Sequence, residues 1–230
     1  MSIVSIVIGV VIVLIFLYLI LSYIFKKSTK LTGMNNATEQ QEILGSVIPN
    51  GSTNYTYSIW FYVDDWSYRF GQTKSVLSRK NNKDPIPVIF FNEIKNDITI
   101  EIACYSDNDN MIVHNCVVNN FSLQNWVNLI ISLYGRTLDV YIDGKLVKTC
   151  MLPGVPKTST AADNIYITPD GGFKGSTAKI EYWNDSSNPQ RAYEIYKEGF
   201  GGSVFGSMAN KYGVKFSITE NNKETSSYEF

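Results

Sequence analysis

The sequence has few of the residues that bind metals or act as nucleophiles. Its 230 residues include one histidine, His114, and three cysteines, Cys104, Cys116 and Cys150, with no CxxC spacing. One histidine cannot build a histidine-based metal site, and the cysteine spacing makes zinc unexpected. The odd number of cysteines fits a reducing compartment, where thiols stay unpaired.

The signatures of common enzyme classes are missing as well. No GxSxG is present, and the glycine-rich stretches DGGFKG and EGFGGSVFG lack the Gly-Lys-Ser/Thr of a phosphate loop. A cysteine–histidine dyad would have to use His114, and Cys116, two residues away, shares its strand face. The net charge of −1 does not indicate nucleic-acid binding. The sequence therefore predicts a protein that is not an enzyme.

The first 25 residues lack charge altogether. An apolar run of about 22–25 residues spans roughly 33–37 Å as a helix, enough to cross a bilayer core of about 30 Å. The basic start and the small-residue cleavage site of a signal peptide are absent. Two tyrosines lie toward the end of the run and three lysines follow it: Tyr18, Tyr23, Lys26, Lys27 and Lys30. We predict a retained transmembrane anchor at residues 1–25 and a polar tether at 26–50.

The orientation of this predicted single-pass protein depends on two opposing signals. The lysines on the C-terminal side of the anchor favour a domain that faces the cytosol. Five Asn-x-Ser/Thr sequons favour the opposite side: Asn36, Asn50, Asn54, Asn120 and Asn184. In a chain rich in Asn, Ser and Thr, sequons arise by chance, so we predict the cytosol-facing orientation.

From residue 51 the pattern is that of short strands. In TNYTYSIWFYVDDW, Tyr57, Ile59 and Phe61 share one face, and Ile98, Ile100, Ile102 and Cys104 share a face in DITIEIACY. WVNLIISLYGRTLDVYIDGKLVKTC reads as three strands, with Asp143-Gly144 as a type I′ hairpin turn.

The end of the chain is predicted to contain one short helix. NPQRAYEIYKEGF offers Asn188 as a cap, Pro189 at the first helical position and a stripe of Ala192, Ile195 and Tyr196. About nine to eleven strands with this helix predict an all-β protein, an antiparallel β-sandwich over residues 51–200. Residues 201–230 form a C-terminal extension with one further strand-like stretch, YGVKFSITE.

Several of these strands resemble those of one fold family. WVNLIISLY followed by LDVYIDGKLV, the early YSIWFYV with LSRK, and the late IYITPDGGFKGSTAKIEYW are similar to strands of the concanavalin A-like jelly roll, as in laminin-G domains. The resemblance covers about residues 55–183. It implies a jelly-roll fold, but the architecture hosts lectins, glycosidases and adhesion modules alike.

The overall arrangement is similar to that of predicted structural proteins of large DNA viruses. Like those proteins, this chain has an anchor, then a tether, then a jelly roll, and finally the tail NPQ-A-x-x-I-Y-x-x-G-x-G-G-S. The resemblance implies a minor capsid protein that joins an inner virion membrane to capsid proteins of the shell.

The resemblance implies three kinds of candidate site: a pair of catalytic carboxylates, a calcium site and an aromatic contact surface. Glucanases of this fold use a Glu-x-Asp-x-x-Glu strand, but DITIEIACY supplies only Asp97 and Glu101, about 13 Å apart. Laminin-G domains often hold calcium, for which the YSDNDN turn offers Asp107 and Asp109. Trp66 and Tyr68, in the turn-like DDWSYRFGQ, are the expected contact residues for a partner or a glycan.

The sequence thus predicts a membrane-anchored structural or interaction protein, without catalytic residues, without a required cofactor and without nucleic acid as a partner. Calcium stays open. The alternative is a membrane-anchored lectin, which predicts a domain outside the cytosol and sequons in use.

Overall fold

The strands form two antiparallel sheets that face each other. The computed structural model describes residues 9, 11–17, 28–106, 110–201, 215–220 and 223–229. Sheet I and sheet II have seven strands each. The predicted antiparallel β-sandwich is confirmed.

The strands are numbered in chain order. Those of sheet I are β1 Thr29–Thr32, β2 Asn35–Asn36, β4 Tyr55–Asp65, β9 Trp126–Tyr134, β10 Thr137–Ile142, β11 Lys145–Met151 and β14 Lys174–Trp183. Those of sheet II are β3 Gln41–Ile43, β5 Lys74–Asn81, β6 Asp84–Phe91, β7 Ile98–Tyr105, β8 Met111–Val118, β12 Val155–Pro156 and β13 Ile165–Ile167. Sheet I has the order β1-β14-β4-β9-β10-β11, with β2 also paired to β14, and sheet II has the order β12-β7-β6-β5-β13-β3, with β8 also paired to β7.

The core lies between the sheets and is filled by the alternating residues that the sequence marks. Tyr57, Ile59 and Phe61 of β4 are buried in it, and so are Ile98, Ile100 and Ile102 of β7. Complete burial of such a side chain contributes about 1.5–3 kcal/mol. The period-2 pattern therefore fixes which face of each strand points inward.

The meander β9-β10-β11 has the predicted turn. Asp143 and Gly144 both have positive φ, 50° and 72°, as a type I′ turn requires. β10 pairs with β9 on one side and with β11 on the other, so β11 is the edge of sheet I.

The helix Pro189–Lys197 lies against the outer face of sheet I. The Asn188 side chain accepts a hydrogen bond from the Arg191 N–H at 2.9 Å, as the predicted cap should. Ala192 and Ile195 pack with Ile130, Tyr141 and Trp183 in a small second core, and the Tyr196 ring stacks on Trp60. The helix thus covers the part of the outer face of sheet I that is formed by Trp60, Ile130, Tyr141 and Trp183.

The predicted polar tether at 26–50 is wrong over its described part. Thr29 pairs with Tyr182 through β1, Asn36 with Ser176 through β2, and Ile43 with Ile165 through β3. These strands are short and polar because they are edge strands with one face in solvent, so they lack the alternation of a central strand. The sandwich begins at residue 29, not at 51.

The described residues test little of the predicted anchor. Residues 11–17 are helical, and their apolar side chains are exposed. Residues 1–8, 10 and 18–25 lie outside the description. No helix within the described residues has the length and apolar character that crossing a membrane requires.

The predicted strand in the C-terminal extension is found as β15, Lys215–Glu220. The polar tail contributes a second strand, β16, Lys223–Glu229, and the two form a separate antiparallel pair.

Candidate functional site

A polar cleft opens on the outer face of sheet II. Its volume is about 300 Å³. It lies where β5, the turn after β5 and the chain entering β13 meet, and it is lined by Ser78, Lys80, Asn82, Ala162, Asp163, Asn164 and Tyr166. We call it the β5–β13 cleft.

The sheet register brings the walls of the cleft together. Tyr166 of β13 lies opposite Ser78 of β5 and opposite Glu42 of β3. One oxygen of Glu42 accepts hydrogen bonds from the Tyr166 hydroxyl at 3.2 Å and from the Asn164 side-chain amide at 2.7 Å. Glu42 therefore fixes the phenol ring and the amide in position.

The floor of the cleft is a network around Asp163, which is only 7% exposed. Its carboxylate accepts from the Asn81 amide at 3.0 Å and from the Thr160 N–H at 2.6 Å and hydroxyl at 2.9 Å. Burial by itself raises the pKa of Asp163, but these hydrogen bonds, with the nearby Arg79 charge, lower it below the ordinary value. The carboxylate is held ionised and has a structural role.

Arg79 holds the backbone of this network through hydrogen bonds from its buried side chain. The side chain is 2% exposed. Its Nε donates to the Asp163 carbonyl at 3.0 Å, and its Nη2 donates to the Thr160 carbonyl at 3.3 Å and to the Asn50 side chain. A buried guanidinium with these partners joins the segment 160–163 to β5 and to residue 50. The cleft is thus held rigidly before any ligand arrives.

Asp163→Asn is expected to lower the free energy of unfolding by roughly 1–3 kcal/mol at neutral pH, because the charge-assisted hydrogen bonds weaken. A lowered native pKa contributes stability that is present above the unfolded-state pKa of about 3.9 and is lost as pH falls through the native pKa. Urea denaturation at pH 7 and at pH 3 measures this. The difference between wild type and variant should shrink at pH 3; an equal difference at both pH values contradicts it.

The groups that face the open cleft are suited to binding rather than to bond cleavage. Lys80 and Asn82 are exposed, and Ser78, Asn164 and Tyr166 are partly exposed. They offer an ammonium, amides, a hydroxyl and one aromatic face. The one carboxylate in the lining is already occupied by its hydrogen bonds. Sequence reasoning missed these residues because they come from segments 80 residues apart, and only the sheet register shows that they meet.

The predicted contact residues Trp66 and Tyr68 are both half-buried in the structure. The Trp66 indole N–H donates to the Ile94 carbonyl at 3.0 Å, and Lys74 Nζ lies 4.4 Å from the ring centroid. The Tyr68 hydroxyl donates to the Gly171 carbonyl at 3.2 Å. Both side chains hold their loop in place. The prediction that they contact a partner or a glycan stays a prediction.

The side chains that this region presents to solvent are different ones. Phe70 is 60% exposed and Ile94, in the neighbouring loop, is 63% exposed. The aromatic content of DDWSYRFGQ identified the loop, but composition does not tell an anchoring ring from an exposed one.

The calcium candidates Asp107 and Asp109 lie outside the described residues. Among the residues that are described, no three histidine, cysteine, aspartate or glutamate side chains form a group that could hold a metal ion.

The two catalytic alternatives do not assemble. The Asp97 carboxylate accepts from the Asn120 N–H at 2.9 Å and so closes a loop. Glu101 lies between Val88 and Asn115 on neighbouring strands. Cys116 forms a disulfide with Cys150, so its sulfur is not available for a dyad with His114.

This disulfide joins the two sheets at one side of the sandwich. Its Cα atoms are 6.0 Å apart, and it links β8 of sheet II to β11, the edge of sheet I. Cys104 is buried and free, and burial raises the pKa of its thiol. The cysteine spacing in the sequence did not reveal this pairing, because Cys116 and Cys150 meet only through the arrangement of the two sheets. The odd count reflects one bridge plus one cysteine in the core.

These features define a laminin-G-type jelly roll with a preformed polar cleft. The family model of the concanavalin A-like lectin/glucanases superfamily matches residues 36–191. The chain belongs to this superfamily, in its laminin-G branch. None of the curated proteins matches the chain.

Among the solved structures that resemble it are two binding domains of bacterial toxins. The botulinum neurotoxin serotype D ligand-binding domain in complex with N-acetylneuraminic acid has 11% identity and a TM-score of 0.56, over 75% of this chain and 44% of that chain. The binding domain of botulinum neurotoxin DC in complex with rat synaptotagmin II has 12% identity and a TM-score of 0.50, over 64% and 36%. The chain spans less than half the length of these structures, and the similarity concerns the fold alone.

Proposed function

We propose that this protein is a membrane-anchored, non-enzymatic binding protein that holds a glycan in the β5–β13 cleft. The observation that carries the proposal is the chemistry of the cleft. One phenol face lies beside amides, a hydroxyl and an ammonium, and the ring and the Asn164 amide are already fixed by Glu42. Sugars are recognised by this combination of a flat aromatic face and fixed polar groups.

The size and the charge of the cleft limit the kinds of glycan that fit it. Its volume of about 300 Å³ is at the lower end of the 300–1,000 Å³ range of ligand pockets, which suits one or two sugar units of a longer chain. Lys80 in the lining and Lys83 nearby are exposed cations. An acidic sugar would pair with Lys80, while the Asp163 charge is balanced by Arg79.

The structural role predicted from the sequence is the second possibility. A minor capsid protein that links an inner virion membrane to the shell would depend on residues 1–25 and 201–230. Most of these residues lie outside the description, so the capsid role and the virion location stay predictions.

The test is glycan binding by the full chain in detergent micelles, on an array that carries neutral and acidic glycans. Tyr166→Ala is expected to weaken retention at least about 10-fold, because loss of the stacking face and of its partners costs more than about 1.4 kcal/mol. Lys80→Met is expected to weaken the binding of acidic glycans and to leave the binding of neutral glycans unchanged.

Matched controls separate the cleft from other surfaces. Tyr134→Ala removes a tyrosine that is 66% exposed on sheet I, and Lys148→Met removes an exposed lysine of β11. Both should bind as wild type does. Phe70→Ala examines the loop of Trp66 and Tyr68. The cleft assignment fails if Phe70→Ala abolishes binding while Tyr166→Ala does not, and glycan binding as a whole fails if the array retains nothing.

A further inference from the structure

The five sequons fall into two groups in the structure. Asn36, Asn120 and Asn184 are exposed. In each the amide oxygen already accepts a hydrogen bond: from the Thr38 hydroxyl at 3.0 Å, from the Asn96 amide at 3.0 Å, and from the Tyr182 hydroxyl at 3.2 Å. The oxygen is thus turned toward the protein. In the described part of the chain, the nitrogen to which an N-linked glycan would attach is not held by a buried group: the Asn36 nitrogen donates to the exposed Glu39 carboxylate at 3.5 Å, a weak surface contact.

The other two sequons serve the fold. Asn50 is half-buried, and its nitrogen donates to the Gly45 carbonyl at 3.1 Å and to the Ile48 carbonyl at 2.8 Å. A sugar on that nitrogen would break both hydrogen bonds beneath Arg79. Asn54 is also half-buried, its oxygen accepts from the Gly135 N–H at 2.8 Å, and the Thr56 of its sequon is fully buried.

The disulfide is an independent observation that points to the same compartment. Disulfides persist on the exoplasmic side of membranes and in the secretory lumen, and they are rare where thiols are kept reduced. N-linked glycans are added in that lumen. Formation of the Cys116–Cys150 bridge removes two electrons and two protons from the thiols, which a disulfide-exchange oxidant of that compartment takes up.

We propose that the jelly roll faces the exoplasmic side, carries N-linked glycans at Asn36, Asn120 and Asn184, and leaves Asn50 and Asn54 unmodified. The reaction joins the asparagine nitrogen to the anomeric carbon of a lipid-pyrophosphate-linked oligosaccharide. The sugar–phosphate bond breaks, the lipid pyrophosphate leaves, and the nitrogen gives up one proton.

This orientation is the reverse of the one predicted from the lysines after the anchor. Those lysines are three in number (Lys26, Lys27 and Lys30), and the rule that positive charge stays inside is a bias. Large domains are translocated largely regardless of charge. The jelly roll, which begins at residue 29, is such a domain.

The experiment is expression of the full chain in animal cells, followed by peptide-N-glycosidase digestion and gel or mass analysis. We expect a downward mass shift that resolves into three steps on partial digestion. Asn36→Gln, Asn120→Gln and Asn184→Gln should each remove one step. Asn50→Gln and Asn54→Gln are the matched controls and should remove none.

A second set of variants distinguishes the loss of a glycan from a folding defect caused by changing the asparagine. Thr38→Ala, Ser122→Ala and Ser186→Ala leave the asparagines in place but destroy the sequons, and each should also remove one step. Maleimide labelling of the unreduced, denatured protein should detect one free thiol, Cys104. The proposal is overturned if no mass shift occurs, if the steps map to Asn50 or Asn54, or if all three thiols are labelled.

The outcome is separable from the proposed function. The glycosylated asparagines do not line the β5–β13 cleft, so digestion of their glycans should leave retention on the array unchanged. If the protein carries no glycans but still binds the array, the orientation is refuted and the binding function stands. If the protein is glycosylated but binds nothing on the array, the orientation stands and the binding function is refuted.

Discussion

Loss of the Cys116–Cys150 disulfide is expected to lower the free energy of unfolding by about 3–4 kcal/mol. The bridge closes a loop with a sequence separation of 34 residues, and the chain-entropy model gives this magnitude for a loop of that size. The bridge joins β8 and β11, which belong to different sheets, so no ladder of backbone hydrogen bonds between the two strands replaces it. The measurement is urea denaturation of wild type and of Cys116→Ala/Cys150→Ala.

The control for this experiment uses the third cysteine. Cys104→Ala removes a thiol without removing a bridge, so a reductant should destabilise wild type and Cys104→Ala equally. The double variant should not respond to the reductant. If reductant left the unfolding midpoint of all three proteins unchanged, the disulfide would have no role in stability.

Arg79→Met is expected to lower the free energy of unfolding by about 3–5 kcal/mol. The Asp163 and Thr160 carbonyls and the Asn50 oxygen lose their donor, and a buried acceptor without a partner costs about 1–3 kcal/mol. Methionine keeps part of the buried volume, so the change reports mainly on the hydrogen bonds. Because the segment 160–163 loses its support, the β5–β13 cleft should also lose glycan binding.

The neighbouring residue supplies the matched control. Lys80→Met makes a similar change on an exposed side chain of the same strand, and surface changes of this kind stay within about 0.5 kcal/mol. Thermal and urea unfolding of the two variants should therefore differ widely. Equal stability of Arg79→Met and Lys80→Met would show that the network contributes nothing.

Sequence patterns predicted the centre of the sandwich well. Ile59, Ile100 and Leu129 alternate with residues of the opposite face, and each is completely buried. A period of two can be read locally, because neighbouring residues on a strand face opposite sides. The Asp143-Gly144 turn and the Asn188 cap are local signals of the same kind, and both are found.

The features that were missed depend on pairing between distant parts of the chain. Thr29 pairs with Tyr182 and Ile43 with Ile165, and no local pattern marks a short polar edge strand. Cys116 and Cys150 meet because β8 and β11 are the edges of different sheets on the same side. The cleft exists because Tyr166 lies next to Ser78. These contacts require the strand order, which the sequence of a single chain does not state.

The early start of β1 limits how far the protein extends from its membrane. If residues 1–25 span the bilayer, three residues separate the lipid from Thr29, the first residue of the sandwich. At 3.3–3.6 Å per residue this gap is about 11 Å at most. The jelly roll then has no linker that would hold it away from the bilayer, and it lies close to the lipid headgroups. Whatever it binds has to sit on the same membrane or come almost into contact with it.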